Sequence, residues 1–273
     1  MKLRIVLSVS LLIVPAALVA QLSTPKIGMV RYADHMVRGV NGLESNMLLG
    51  DRALLDADTA SFSDFGGLVS IAGRIQLLNS QATLVGEYQS NEPSPVLNMD
   101  GALSTAIAWL PSHSLLVYWN GAAFLEAQLP AAELPGQVTS LQLVGPTLAR
   151  MLLTDADGGV SEASISLPTG RVLSSDALPG VVGPAFLQDG FIVFESPNGL
   201  AIQAPNGAVR TLPLRAGALS FERMSSEWVH IASRSTQQDW ALHLSSKALQ
   251  LSILPTPVAA GGSQLRHDQE VAK

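Results

Sequence analysis

Between Phe191 and Gly217 the chain reads FIVFESPNGLAIQAPNGAVRTLPLRAG. Three short apolar runs, FIVFE, LAIQA and AVRTLPL, are separated twice by Pro-Asn-Gly. Runs this short, bounded by such breakers, are strands and not helices. Asn-Gly between apolar runs is the strongest short-range hairpin signal, because a type I′ turn needs φ > 0 at both central residues. The sequence therefore predicts type I′ hairpins at Asn198-Gly199 and Asn206-Gly207. A fourth run, Ala185 to Leu187, precedes these across Gln188-Asp189-Gly190. The stretch reads as a four-stranded antiparallel meander.

The same unit recurs along the chain. The most apolar strand of each unit, read as its second, starts near Leu68 (LVSIA), Leu115 (LLVYW), Arg150 (RMLLT), Phe191 (FIVFE) and Trp228 (WVHIA). The spacings are 47, 35, 41 and 37 residues, a mean of 40. One such interval before Leu68 lies Met29, where IGMVRYA stands, followed by MVRGVN and MLLGDRALL. The first unit thus has candidates for its second, third and fourth strands and none for its innermost. Unit two covers Ser61 to Gln89. A loop with Pro93 and Pro95 leads to unit three, read as TAIAWL, LLVYW, AAFLEAQL and a poor outer strand AAELPG. Unit four is SLQLV, RMLLT, VSEASISL and RVLSS. Unit six is ALSFERM, WVHIAS, WALHLS and ALQLSIL. Leu-Pro pairs recur at 129, 167, 178, 212 and 254, where proline suits outer strands and corners and not central ladders.

One small sheet with two apolar faces cannot bury both alone, whereas radial stacking buries each face against a neighbour. A period near 40 residues is that of a propeller blade. The reading is all-β, a β-propeller of about six four-stranded blades over 27–255, the first blade incomplete. A β-sandwich and an open solenoid of hairpins are the alternatives. Ring closure is expected from either Leu22 to Lys26 or Thr256 to Ala260, laid beside Ile27 to Ala33. Over roughly 27–255 the chain resembles divergent secreted bacterial β-propellers at the level of architecture. It carries no Trp-Asp repeat and no kelch Gly-Gly pattern, and FSDFGG at 62–67 has only a faint echo of the Asp-box hairpin.

Residues 1–20 read MKLRIVLSVSLLIVPAALVA: positive Lys2 and Arg4, an apolar Ile5 to Val14, then Pro15 and small residues to Ala20. This pattern predicts a signal peptide, its apolar run being too short for a bilayer span. Residues 256–273 are expected to form a flexible tail. Without 1–20 the chain holds 14 Lys+Arg (16 less Lys2 and Arg4) against 22 Asp+Glu, a net charge of −8. Such a balance argues against nucleic acid and anionic lipid as main partners. There is no cysteine, which excludes disulfides, thiolate metal sites, a cysteine nucleophile and lipoprotein anchoring. The expected location is periplasmic or extracellular, and the expected state a monomer.

Several residues are candidates for chemistry. Thr154 to Gly159 (TDADGG) places Asp155 and Asp157 where a calcium loop would, but Asp-Gly also makes a hairpin turn, the favoured reading. Asp64, Asp100, Asp189 and Glu222 fall at or near inner strands, where a glycosidase would need two of them to converge. Asp100 precedes Gly101 and also reads as a turn residue. Among His35, His113, His230, His243 and His267, only His230 and His243 suggest a cross-strand pair, read as polar rather than metal-binding. Trp109, Trp119, Trp228 and Trp240 read as packing between blades rather than as sugar platforms. No Gly-x-Ser-x-Gly elbow or phosphate-binding glycine loop occurs. No catalytic, cofactor or metal residue is assigned. The expected function is a non-catalytic binding or interaction scaffold for a protein or carbohydrate. A carbohydrate-active hydrolase is the alternative.

Overall fold

A computed structural model describes residues 25–43, 46–50, 55–99, 101–215, 217–245 and 249–257. The expected signal peptide and most of the expected tail lie outside them. Six antiparallel sheets follow one another along the chain. Blade one holds β1 (Lys26–Arg31), β2 (Met36–Leu43), β3 (Asn46–Leu49) and β4 (Leu55–Asp56). Blade two holds β5 (Thr59–Ser63), β6 (Gly66–Ile71), β7 (Arg74–Asn79) and β8 (Leu84–Gln89). Blade three holds β9 (Val96–Asn98), β10 (Ile107–Leu110), β11 (Leu115–Trp119) and β12 (Phe124–Gln128). Blade four holds β13 (Gln137–Leu143), β14 (Leu148–Thr154), β15 (Gly159–Ser166) and β16 (Arg171–Val182). Blade five holds β17 (Ala185–Gln188), β18 (Phe191–Ser196), β19 (Gly199–Gln203) and β20 (Val209–Leu212). Blade six holds β21 (Leu219–Arg223), β22 (Trp228–Ser233), β23 (Gln238–Leu244) and β24 (Leu249–Ile253).

The buried apolar residues form six clusters, one in every joint between neighbouring blades, the joint between blades six and one included. That closes a ring, so the architecture is a six-bladed β-propeller. Strands near the axis are buried on both faces, as in β10 and β17, while the outer β8 and β20 stay largely exposed. The sheets touch near the axis and splay apart towards the rim. Near the axis the spacing is tight enough for hydroxyl groups to tie blades together. Ser61 Oγ accepts the Met99 N–H at 3.0 Å, and Ser140 Oγ accepts the Leu187 N–H at 3.0 Å. Both serines are buried, so each bond satisfies a donor that water cannot reach.

Blade one is only three strands deep, because β3 and β4 both pair with the same side of β2. Its β1 sits where the other blades have their second strand: it lies against β5 as β10 lies against β13 and β14 against β17. Among the described residues no strand takes the innermost place, as the sequence predicts, and β21 of blade six lies directly against β5 of blade two. Closure instead runs side to side. The Met29 N–H donates to the Met224 carbonyl at 3.1 Å. The Tyr32 hydroxyl donates to the Pro255 carbonyl at 3.1 Å. Ile27, Val30, Tyr32, Val40 and Met47 pack on Met224, Trp228, Ala241 and Leu254. Thr256 and Pro257 form no strand, and Val258 to Ala260 lie outside the described residues.

Two sequence readings need correction. In unit three the innermost strand is β9, which the Pro93–Pro95 loop conceals; TAIAWL is therefore the second strand, LLVYW the third and FLEAQ the outermost. Ala131–Glu133 is a 3₁₀ turn rather than a strand. Three residues of β9 are too few to show a period. With the shift made, second strands begin at 26, 66, 107, 148, 191 and 228, at spacings of 40, 41, 41, 43 and 37. The Asn-Gly turns are not type I′ either. Ser196 pairs with Gly199, so the turn residues are Pro197 and Asn198. In the next hairpin the Gly207 N–H donates to the Ala204 carbonyl around Pro205 and Asn206. Proline fixes φ near −65°, and the positive φ falls on Gly199 (+128°) and Gly207 (+81°), not on either asparagine. Turns with φ > 0 at both central residues stand instead at Ala72 (+49°) and Gly73 (+77°), between paired Ile71 and Arg74, and at Asp189 (+51°) and Gly190 (+81°), between paired Gln188 and Phe191.

Candidate functional site

The inner strands of blades two to six run in one direction and end on one face of the ring. Their last residues are Ser63, Asn98, Leu143, Gln188 and Arg223, and Gln142 stands one place before the end of β13. Ser63, Asn98, Gln142, Gln188 and Arg223 are all buried polar side chains. Adjacent strands alternate in direction, so the turns after these strands, Asp189-Gly190 among them, edge the same axial mouth. Asp189 is half-exposed and joins two blades: Gln142 Nε2 donates to its Oδ1 at 3.4 Å, and Arg223 Nη2 donates to the same oxygen at 3.3 Å. Gln188 Nε2 donates to the Ser226 carbonyl at 2.9 Å and the Ser225 carbonyl at 3.3 Å. Glutamine and arginine reach across blade boundaries at this mouth, and so does Ser63, whose Oγ donates to the Gly101 carbonyl at 2.7 Å.

A second polar cluster lies in the joint between blades six and one. His230 on β22 is buried at 4% exposure. Its Nε2 lies 2.7 Å from Asp239 Oδ1 and its Nδ1 3.9 Å from Glu222 Oε2. Glu222 also receives the Arg31 guanidinium of β1, with Nε at 3.0 Å, so the ion pair bridges the joint. The Tyr32 ring lies 6.1 Å from the imidazole. Burial acts to lower the His230 pKa, but the hydrogen bond to Asp239 and the nearby Glu222 carboxylate outweigh it and the net shift is upward. Burial, then Asp239, pushes the Tyr32 hydroxyl pKa up.

The residues singled out from the sequence disperse. Asp64 is exposed in the turn after β5, and Asp100 lies outside the described residues. Asp189 is held by Arg223 and Gln142, and Glu222 by Arg31. The His230 ring lies between Glu222 and Asp239, 3.9 Å from one and 2.7 Å from the other, so those carboxylates do not face each other across an open cleft. Asp155 is a turn residue: its Oδ1 accepts the N–H groups of Asp157 (2.9 Å) and Gly159 (2.7 Å). His230 and His243 lie on neighbouring strands of blade six but have different partners. His243 stacks on Trp228 at 4.6 Å and lies 3.4 Å from Glu227. His35 is exposed in a turn with φ +64°. His113 lies 3.9 Å from buried Glu92, whose carboxylate also accepts the Ser112 N–H at 3.0 Å. His267 lies outside the described residues. All four tryptophans are packed in joints between blades. Among the described residues no group of three or more His, Asp or Glu side chains is placed to hold a metal.

Asp239 and Arg31 carry no mark in the sequence. Their signal exists only in register: Ala232 pairs with Asp239, two residues from His230 along β22. Arg31 meets Glu222 across 191 residues of sequence.

No protein-family model matches the chain, and neither does any curated protein. Solved structures similar to it are β-propellers. The β-propeller domain of Myceliophteria thermophila Cps50 (Swd1) is 12% identical over 86% of this chain and 88% of that one, with a TM-score of 0.47. A catalytically inactive virginiamycin B lyase from Staphylococcus aureus is 10% identical over 85% of each chain, TM-score 0.44. BamB from Moraxella catarrhalis is 8% identical over 86% of this chain and 92% of that one, TM-score 0.38.

Proposed function

We propose that the protein is an exported, non-catalytic interaction scaffold. The observation that carries this reading is the engagement of its acids. Among the described residues, Glu222 and Asp239 are turned onto buried His230, and half-exposed Asp189 is bound to Arg223 and Gln142, which is not the pair of carboxylates flanking an open cleft that glycoside hydrolysis needs. What the ring offers a partner is shape: a polar axial mouth, outer strands and the turns between them. The negative charge of the chain beyond residue 20 directs the choice of partner to proteins or neutral carbohydrate rather than nucleic acid. Export rests on the charged, apolar and small-residue order of 1–20.

The test combines turnover and capture. Purified protein is incubated with a panel of glycans and reducing ends are counted, and in parallel it is cross-linked in its native envelope. The expected result is no turnover and one saturable, reproducible partner. Hydrolysis that disappears in Asp189→Asn or Glu222→Gln overturns the reading. Mass spectrometry of the exported protein should show a chain beginning after Ala20, and one beginning at Met1 would contradict export by this signal.

A further inference from the structure

We propose that Asn120 is a site of self-modification, converting to aspartate and isoaspartate through a cyclic imide, and that the turn between β11 and β12 speeds this reaction. Asn120 Oδ1 accepts the backbone N–H groups of Ala122 and Ala123, both at 2.9 Å. The N–H of Gly121, next to Asn120 in the chain, donates to none of the described residues. The whole turn from Asn120 to Ala123 is exposed, and a Cβ placed on Gly121 would meet nothing within 4 Å.

The Gly121 nitrogen loses its proton to hydroxide or a buffer base and attacks Asn120 Cγ, so that negative charge develops on Oδ1. The Cγ–Nδ2 bond then breaks, and the side-chain nitrogen leaves as ammonia after taking a proton from water. A five-membered imide remains. One water opens it at either carbonyl, giving aspartate or isoaspartate, and no oxidant or other reactant is consumed. Each feature of the turn serves a part of this course. An uncommitted N–H can attack without first giving up a hydrogen bond. Two fixed N–H donors on Oδ1 stand at the distance, about 2.7–3.1 Å, at which an oxyanion is stabilised. A glycine in open space leaves its nitrogen accessible and its backbone free to rotate into the ring.

The chain holds three other Asn-Gly pairs, at 41, 198 and 206, and none combines these features. The Gly207 N–H is bound to the Ala204 carbonyl at 2.8 Å, and Asn206 Oδ1 accepts only the Ala208 N–H, at 3.1 Å. The Gly42 N–H is bound to the Pro25 carbonyl at 2.8 Å, and Asn41 is paired with Lys26 on one side and Leu48 on the other. Gly199 is buried, and its Cβ position lies 2.3 Å from the Leu212 carbonyl oxygen.

β11 runs in the same direction as the inner strand β9, so the turn opens on the face that holds the axial mouth. An aspartate there keeps both N–H bonds in a stronger, charge-assisted form and adds one negative charge to that face. An isoaspartate adds an atom to the main chain beside the paired Trp119 and Phe124, whose rings meet edge-on at 5.1 Å. The charge of this face therefore changes with the age of the molecule.

The experiment incubates the full chain in mildly alkaline buffer made with heavy-oxygen water, folded and in urea, and follows each Asn-Gly peptide by mass spectrometry. Asn120 and Asn206 are both followed by Gly-Ala, so the unfolded chain is the internal control. In the folded protein Asn120 should convert several-fold faster than Asn206, giving both acid products, with Asn41 and Asn198 slower still. In urea the advantage of Asn120 over Asn206 should vanish. Conversion at Asn120 no faster than at Asn206 in the folded protein, or an excess that persists unchanged in urea, overturns the proposal.

Discussion

Gly28 lies on β1 against Met224 of blade six. A Cβ placed there would sit 2.5 Å from the Met224 carbonyl oxygen and 2.9 Å from its carbon. Ordinary contact begins near 3.4 Å, so Gly28→Ala must push that carbonyl away by 0.9 Å (3.4 less 2.5). The same oxygen accepts the Met29 N–H at 3.1 Å, so the displacement breaks the bond. Overpacking costs about 1–3 kcal/mol, and a buried N–H left without its acceptor about 1–3 more. The lower entropy of the unfolded alanine chain returns about 0.4–1 kcal/mol. The net is a loss of about 1–6 kcal/mol, or roughly 2–20 °C in Tm for a domain of this size. Gly39→Ala on β2 is the control, since its Cβ would meet only Met29 Sδ, at 3.9 Å. Thermal unfolding followed by circular dichroism compares the two. Gly28→Ala melting within about 1 °C of wild type, or no lower than Gly39→Ala, would show that β1 does not pack this tightly on Met224.

Ser140→Ala removes the acceptor of the Leu187 N–H between blades four and five and should cost about 1–3 kcal/mol in urea unfolding. An unchanged midpoint would show that the inner serines do not tie blades. Gly199→Ala combines φ +128° with a Cβ 2.3 Å from the Leu212 carbonyl oxygen and should cost at least about 2 kcal/mol. Exposed Asn198→Ala should stay within about 0.5 kcal/mol of wild type. The reverse order in thermal melts would return the positive φ to the asparagine.

The architecture was legible because burial on both sheet faces near the axis forces apolar runs of four to eight residues, and the breakers between them are local. FIVFE, LAIQA and RMLLT each declare a strand without help from elsewhere in the chain. The slip in unit three has a physical cause. β9 needs only Val96 to Asn98, and its ladder partner Ile107 to Leu110 is as apolar as any second strand. The turn error was one of register: Asn-Gly announced a hairpin, but Pro197 and Pro205 fix which residues turn. The polar clusters were hidden for a different reason. Glu222 and His230 were visible singly, yet Arg31 lies 191 residues from Glu222, and nothing local marks two residues that meet only when a ring closes. Asp189 stood out as an acid at an inner-strand turn, but its tie to Gln142 and Arg223 needs three neighbouring blades in place.

Among the described residues, the propeller shuts on itself at the joint of blades six and one through contacts made by residues 25–255. Measuring the melting temperature of a chain ended at Pro257, beside that of the full chain, tests it most directly. The Tyr32 to Pro255 bond, the Met29 to Met224 bond, the Arg31–Glu222 pair and the packing of Leu254 are all retained in the shorter chain. Equal melting temperatures, within about 1 °C, are the expected result. A fall of several degrees would contradict it, showing that the segment from Val258 onward supplies the strand that blade one lacks.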